Sequence, residues 1–144
     1  MILVDLNLLL YATNGAAPNH AHALSWWRET MNRDESVGLS WATLLGFLRI
    51  ATRHGIFPRP LSVDQALKIV EGWLTHPLVT IPRPGDRHWT ILRQLLMQTG
   101  TAGNLTTDAH LAALAIEHDA TLYSSDADFT RFEPELRTRN PLRP

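Results

Sequence analysis

The 144 residues carry a formal net charge of −1 and a hydrophobic fraction of 44%, which fits one globular domain with its own core. There is no cysteine, so disulfides, thiolate metal sites and cysteine nucleophiles are excluded, in keeping with a reducing cytoplasm. The near-neutral balance gives no global basic signature of nucleic-acid binding, although twelve of the thirteen basic residues are arginine and only Lys68 is lysine.

The opening run Met1-Ile2-Leu3-Val4 is apolar without alternation and reads as a buried strand, ended by Asp5. It has no basic start, and Asp5 falls where the apolar region of a signal peptide would begin. A helix is expected over 21–31, containing Trp26-Trp27. The longest apolar stretch, Val37 to Leu48, is broken by Ser40, Thr43 and two glycines, and falls short of the ~20 residues of a membrane span. Within it the apolar spacing at 44, 45, 47, 48 and 51 predicts a helix over 41–52, stopped by Gly55 and Pro58. Ser62 and Gln65 match a capping box for a helix running to about Leu74.

A second strand is expected at 78–81, a helix at 86–98 and a loop at 99–104. Thr106 or Thr107 is placed to cap a helix running through Asp108 to Glu117. A third strand follows at 120–124, and the tail from Arg131 carries Arg137, Arg139 and Arg143. Strands separated by helices imply βαβ units, hence an α/β fold with a central, mostly parallel sheet and helices on both faces. Such sheets bind ligands outside the carboxyl ends of their strands. Asp5 and Asp126 both follow strands, so two acids far apart in sequence share one rim.

Each acid has an ordinary reading. Asp5 or Asn7 could cap a following helix, Asp108 sits in a first helical turn that favours acids, and the pair Asp126 and Asp128 could form an Asx turn, Asp128 fitting that role better. Yet Asp108 heads a helical face shared with Leu111, Ala112 and Ala115, which is unusual for a solvated acid. Converging carboxylates repel one another unless a cation sits among them, and an oxygen-only ligand set suits Mg²⁺ or Mn²⁺.

Val-Asp-Leu-Asn at the start, Thr-Asp-Ala-His-Leu-Ala-Ala-Leu-Ala at 107–115 and Ser-Ser-Asp-Ala-Asp-Phe at 124–129 resemble the PIN domain. More narrowly they resemble the VapC toxins of VapBC toxin–antitoxin pairs, in their mycobacterial-type branch. The resemblance covers about residues 1–136 of a single domain. It implies a Mg²⁺- or Mn²⁺-dependent endoribonuclease, a cognate VapB-type antitoxin and a homodimer. It assigns Asp5, Asp108 and Asp126 to catalysis and metal binding, Asp128 to a less regular fourth acid position, and Ser124 and Asn7 to polar positions beside them. One departure stands out: a glutamate usual in the family falls at Gly46. Arg49, three residues on, could reach a phosphate or pair with the acids.

The seven histidines carry no metal motif. His20 and His22 read as surface residues, and His110 lies roughly 200° around its helix from Asp108, outside that ligand sphere. Glu117 reads as solvated, and the five tryptophans as core or interface residues. Two other functions compete. Phosphotransfer folds also place an aspartate after an N-terminal strand, but they call for a second nearby acid and a late lysine, where this chain has Asn7 and Lys68. A PIN-like module that binds RNA or antitoxin without cutting is the other.

Overall fold

The computed structural model describes residues 1–143. Five short strands form one parallel sheet in the order β3-β2-β1-β4-β5: β1 (Ile2–Val4), β2 (Val37–Gly38), β3 (Val79–Thr80), β4 (Thr121–Tyr123) and β5 (Arg137–Arg139). β1 lies at the centre, with Ile2 opposite Val37 on one side and Thr121 on the other. Alternate residues of a strand face opposite sides, and β1 shows it. Ile2 and Val4 join one core cluster, Leu3 the other, and all three are buried.

The helices divide between those faces. α1 (Leu6–Thr13), α2 (His20–Met31), α3 (Trp41–Ala51) and α4 (Val63–Leu74) cover one side, where Trp27, Phe47 and Trp73 pack edge to face. α5 (His88–Thr99), α6 (Thr106–Glu117) and the 3-10 segment Ala127–Phe132 cover the other, around Leu95, Phe129 and Phe132. The α/β architecture with helices on both faces is therefore as expected.

Local chemistry explains several boundaries. Ser40 Oγ accepts from Thr43 N at 3.2 Å and starts α3. The expected capping box is present: Gln65 N donates to Ser62 Oγ at 3.1 Å and Ser62 N to Gln65 Oε1 at 2.9 Å. α5 ends at Gly100, whose φ of 74° is left-handed, the usual helix-terminating geometry.

Other expectations need correction. Neither Thr106 nor Thr107 caps α6; the 3-10 turn Gly103–Leu105 leads directly into it, and no side chain caps its start. β2, β5 and α1 extend the three strands and five helices marked from the sequence. Trp27 and Trp73 belong to the core, whereas Trp41 and Trp89 are 50% and 68% exposed. Among the described residues no helix is long and apolar enough to cross a membrane.

Candidate active site

Parallel strands put all their carboxyl ends on one rim, and the acids collect there. Asp5 follows β1. Its backbone N–H donates to Tyr123 O at 3.0 Å, so the residue is held by β4 as well as by its own strand. Its carboxylate does two jobs: Oδ1 accepts from Leu6 N at 2.7 Å and caps α1, and Oδ2 accepts from the Ser124 hydroxyl at 2.6 Å. The capping role is thus present, and the second carboxylate oxygen is held from the end of β4 by Ser124. Ser124, 4% exposed, follows β4 and also accepts from Asp126 N at 2.9 Å.

Asp126 is half-buried, and its Oδ1 accepts from Asp128 N at 2.8 Å. The Asx turn is therefore made by Asp126, where the sequence favoured Asp128 for that part. Asp128 itself is exposed and pairs with Arg131 at 3.6 Å. Asp108 stands in the first turn of α6, half-buried, and its carboxylate accepts no hydrogen bond from the described residues. Asp5 and Asp108 line one small pocket with Leu6, Ala42, Thr43 and Thr107, and Ser124 and Asp126 line an adjoining one.

The electrostatics tie the acids together. Burial is the main cause that pushes the Asp5 carboxyl up to about 6, and the nearby charges of Asp108 and Asp126 add to it, against the hydrogen bonds from Ser124 and Leu6. Burial also raises Asp108 above the ordinary carboxylate range, reinforced by Asp126 and Asp128 and opposed by Arg131. The acids are therefore near enough to feel one another. Among the described residues, however, no three of these side chains stand close enough to close around an ion by themselves. Mg²⁺ makes no such demand, because it keeps several waters and takes one or two carboxylates directly. The oxygen-only donor set and the mutual repulsion fit a hard divalent cation.

The remaining candidates divide. Asn7, second residue of α1, is half-buried, and its amide makes no hydrogen bond with the described residues. Arg49 lines a groove between α3 and α4 with Thr52 and Leu67, and it pairs with none of the acids. A Cβ at Gly46 would lie 2.7 Å from Leu6 Cδ2. Position 46 thus points at the wall of the Asp5 pocket, but Leu6 fills the space a longer side chain would need.

Sequence reasoning missed Thr43. It is 3% exposed, accepts from the Ser40 hydroxyl at 3.1 Å, and is the polar side chain that α3 presents to the Asp5 pocket. Its place just after the Ser40 cap was the available signal. Glu117 is not solvated as expected: its carboxylate holds Gly85 N at 2.7 Å and Arg87 N at 2.9 Å. His110 is away from the acids, with Nδ1 2.9 Å from Nε2 of His88.

The fold is shared with known proteins. The PIN domain model matches residues 2–133. Ribonuclease VapC33 of Mycobacterium tuberculosis is 46% identical over 143 residues, 99% of both chains, and ribonuclease VapC37 of the same species is 45% identical over 133 residues, 92% of both. The chain belongs to the PIN-domain family and, within it, groups with the VapC ribonucleases. Solved structures of the same fold include Mycobacterium tuberculosis VapC20, described as a toxin that cleaves the sarcin-ricin loop. It has a TM-score of 0.70 at 17% identity, covering 95% of this chain and 99% of that one. VapBC2 from Rickettsia felis, bound to a promoter DNA fragment, gives a TM-score of 0.68 at 19% identity, covering 97% and 98%.

Proposed function

We propose that this protein is the toxin of a type II toxin–antitoxin pair, a cytoplasmic endoribonuclease that hydrolyses RNA phosphodiester bonds with Mg²⁺ or Mn²⁺ held by Asp5, Asp108 and Asp126. The observation that carries this reading is the buried Asp5 carboxylate, tied to Ser124 and pushed up to about 6 by burial and by two neighbouring acids. Such an arrangement is costly in an empty site and is relieved by a cation. The names of the relatives support RNA as the substrate.

When bound, the ion would lower the pKa of a coordinated water and neutralise charge on a phosphate oxygen. The residues of the chain supply the frame. Ser124 fixes the orientation of Asp5 through Oδ2 and, by accepting from Asp126 N, sets the loop that carries Asp126. Asp108 offers a carboxylate not engaged by other described side chains, and Asp126 offers the oxygen its Asx turn leaves over. Asp128, paired with Arg131, contributes charge near the rim. With glycine at 46 the chain offers no carboxylate where the family's glutamate would stand, and Leu6 lies against that position.

The partner proposed is a VapB-type antitoxin, a reading supported by the neighbouring folds being toxin–antitoxin complexes. Its inhibitory segment would bring a basic side chain to the acidic rim. The function is tested by incubating total RNA with metal-stripped protein, adding Mn²⁺, and repeating with Asp108→Asn. Cleavage should require Mn²⁺ and fall more than about 100-fold in the variant. RNA that survives intact with the wild type under Mn²⁺ identifies a binding module instead.

A further inference from the structure

Four arginines lie in the C-terminal segment, and two of them have evident partners. Arg137 Nη2 lies 3.0 Å from Asp119 Oδ1 and 2.8 Å from Asp119 O, fastening β5 to the turn before β4. Arg131 pairs with Asp128. Arg139 and Arg143 differ: both are exposed, and neither has an acidic side-chain partner among the described residues.

Their position is fixed by the sheet. Arg139 is in register with Tyr123, and Ser124 N donates to Arg139 O at 2.9 Å. Because β5 runs parallel to β4, its end reaches the rim that carries Asp5 and Asp126. Beyond it the chain turns, with Asn140 Oδ1 accepting from Leu142 N at 3.0 Å, and Leu142 packs on the core. The tail is therefore an anchored loop. It closes a pocket of about 110 Å³, with Ser124 and Asp126 on one side, Arg139, Asn140 and Arg143 on the other, and Thr130 at its edge. Two guanidinium groups share this pocket with Asp126 without pairing to it.

We propose that Arg139 and Arg143, assisted by Asn140, form a phosphate subsite that holds the RNA backbone beside the phosphate presented to the acids. This rests on the ribonuclease reading above. Guanidinium forks match phosphate oxygens bidentately, and amide and hydroxyl groups complete such contacts. No base edge is read, so the subsite positions any sequence. Asp126 repels a phosphate in this pocket unless a cation neutralises the acids, so RNA binding here should strengthen with Mn²⁺, and the coupling should be reciprocal.

The test uses a fluorescein-labelled oligouridylate and the full chain carrying Asp108→Asn, so that the probe survives. Binding is followed by anisotropy across a salt series in Mn²⁺. Arg139→Gln/Arg143→Gln should weaken binding about tenfold and flatten the dependence of log K on log salt by ~0.7 for each phosphate no longer neutralised. Arg139→Lys/Arg143→Lys should keep most of that slope. Arg137→Gln, on the same tail but paired to Asp119, should change neither. Affinity and slope that stay unchanged in the double glutamine variant overturn the subsite, as does an equal loss in Arg137→Gln. With Asp108 restored, the double glutamine variant should raise KM and leave kcat within about threefold. Cleavage with an unchanged KM removes the subsite and leaves the nuclease reading standing. A wild type that cuts no RNA, while Arg139 and Arg143 still govern oligouridylate binding, removes the nuclease and keeps the subsite.

Discussion

The Ser124 hydroxyl donates to Asp5 Oδ2 at 2.6 Å across 119 positions of sequence, joining the ends of two adjacent central strands. Ser124 Oγ in turn accepts from Asp126 N, so one hydroxyl sets the geometry of two acids. Ser124→Ala would leave a buried carboxylate oxygen without its donor. A hydrogen bond to a charged group is worth ~1.5–3 kcal/mol, so the Asp5 titration midpoint in metal-free protein should rise from about 6 by about one pH unit or more. A carboxyl-resolved NMR titration checks this, and an unchanged midpoint would show that Ser124 does not hold Asp5 in solution.

Asp5 should also make stability depend on pH. Its carboxyl is raised from 3.8 to about 6 in the folded chain. Below 3.8 the group is protonated in both states and contributes nothing. Between 3.8 and about 6 the native state binds more protons, so stability falls as pH rises, and above about 6 the full penalty of about 3 kcal/mol applies. Asp5→Asn should therefore gain metal-free stability relative to wild type at pH 8, less what mismatched hydrogen bonds remove, and gain none at pH 3.5. Denaturant melts at the two pH values check the sign of that difference.

Gly46 and Leu6 form a matched pair. A Cβ at 46 would meet Leu6 Cδ2 at 2.7 Å, so Gly46→Ala should overpack the wall of the site. This terminal methyl belongs to a half-buried side chain that can shift, however, and with ~1 kcal/mol of better helix propensity in α3 the net change should stay within about 1 kcal/mol. Leu6→Ala in the same chain should relieve that overpacking, and a double-mutant cycle reads the coupling. The same logic governs Gly46→Glu: Mn²⁺ affinity should tighten more with Leu6→Ala present than without it. Additive effects in both cycles would mean that Leu6 does not occupy the missing carboxylate's space.

These relationships mark how far the sequence reaches. β1, the helices with apolar periodicity and the Ser62 capping box are local patterns, and they were legible. β2 was not, because Val37-Gly38 is two residues inside an apolar run that leads straight into the Ser40 cap. β5 was not, because Arg137–Arg139 is an exposed polar edge strand specified by its pairing with β4. α1 hid because Leu8, Leu9 and Leu10 are all buried, which leaves no polar face to set a period. In the site, the three acids could be placed on one rim from strand ends and a helix start. Thr43, the Leu6–Gly46 contact and the Arg139–Arg143 pocket depend on packing between distant segments. The local reading also assigned the Asx turn to the wrong aspartate of a closely spaced pair.

His110 offers a check on the opposite face. Burial lowers its pKa, and the neighbouring His88 lowers it further. The unfolded chain therefore takes up a proton first as pH falls below 6.5, and the α5–α6 contact should weaken over that range. Hydrogen exchange of α5 amides should accelerate between pH 7 and pH 5.5, after correction for intrinsic rates, and His110→Gln should flatten the trend. Equal pH dependence in both proteins would detach the effect from His110.

The central claim is that Asp5, Asp108 and Asp126 act together as one divalent-cation site. The most direct measurement is the melting temperature of metal-stripped protein as Mn²⁺ is added, for wild type and for Asp5→Asn/Asp126→Asn. A ligand that binds only the folded state stabilises it by mass action, by about 2.7 kcal/mol at a hundredfold excess over Kd. The wild type should rise steadily with Mn²⁺, and the double variant should begin higher and respond little. An equal Mn²⁺ response in the two proteins would contradict the site.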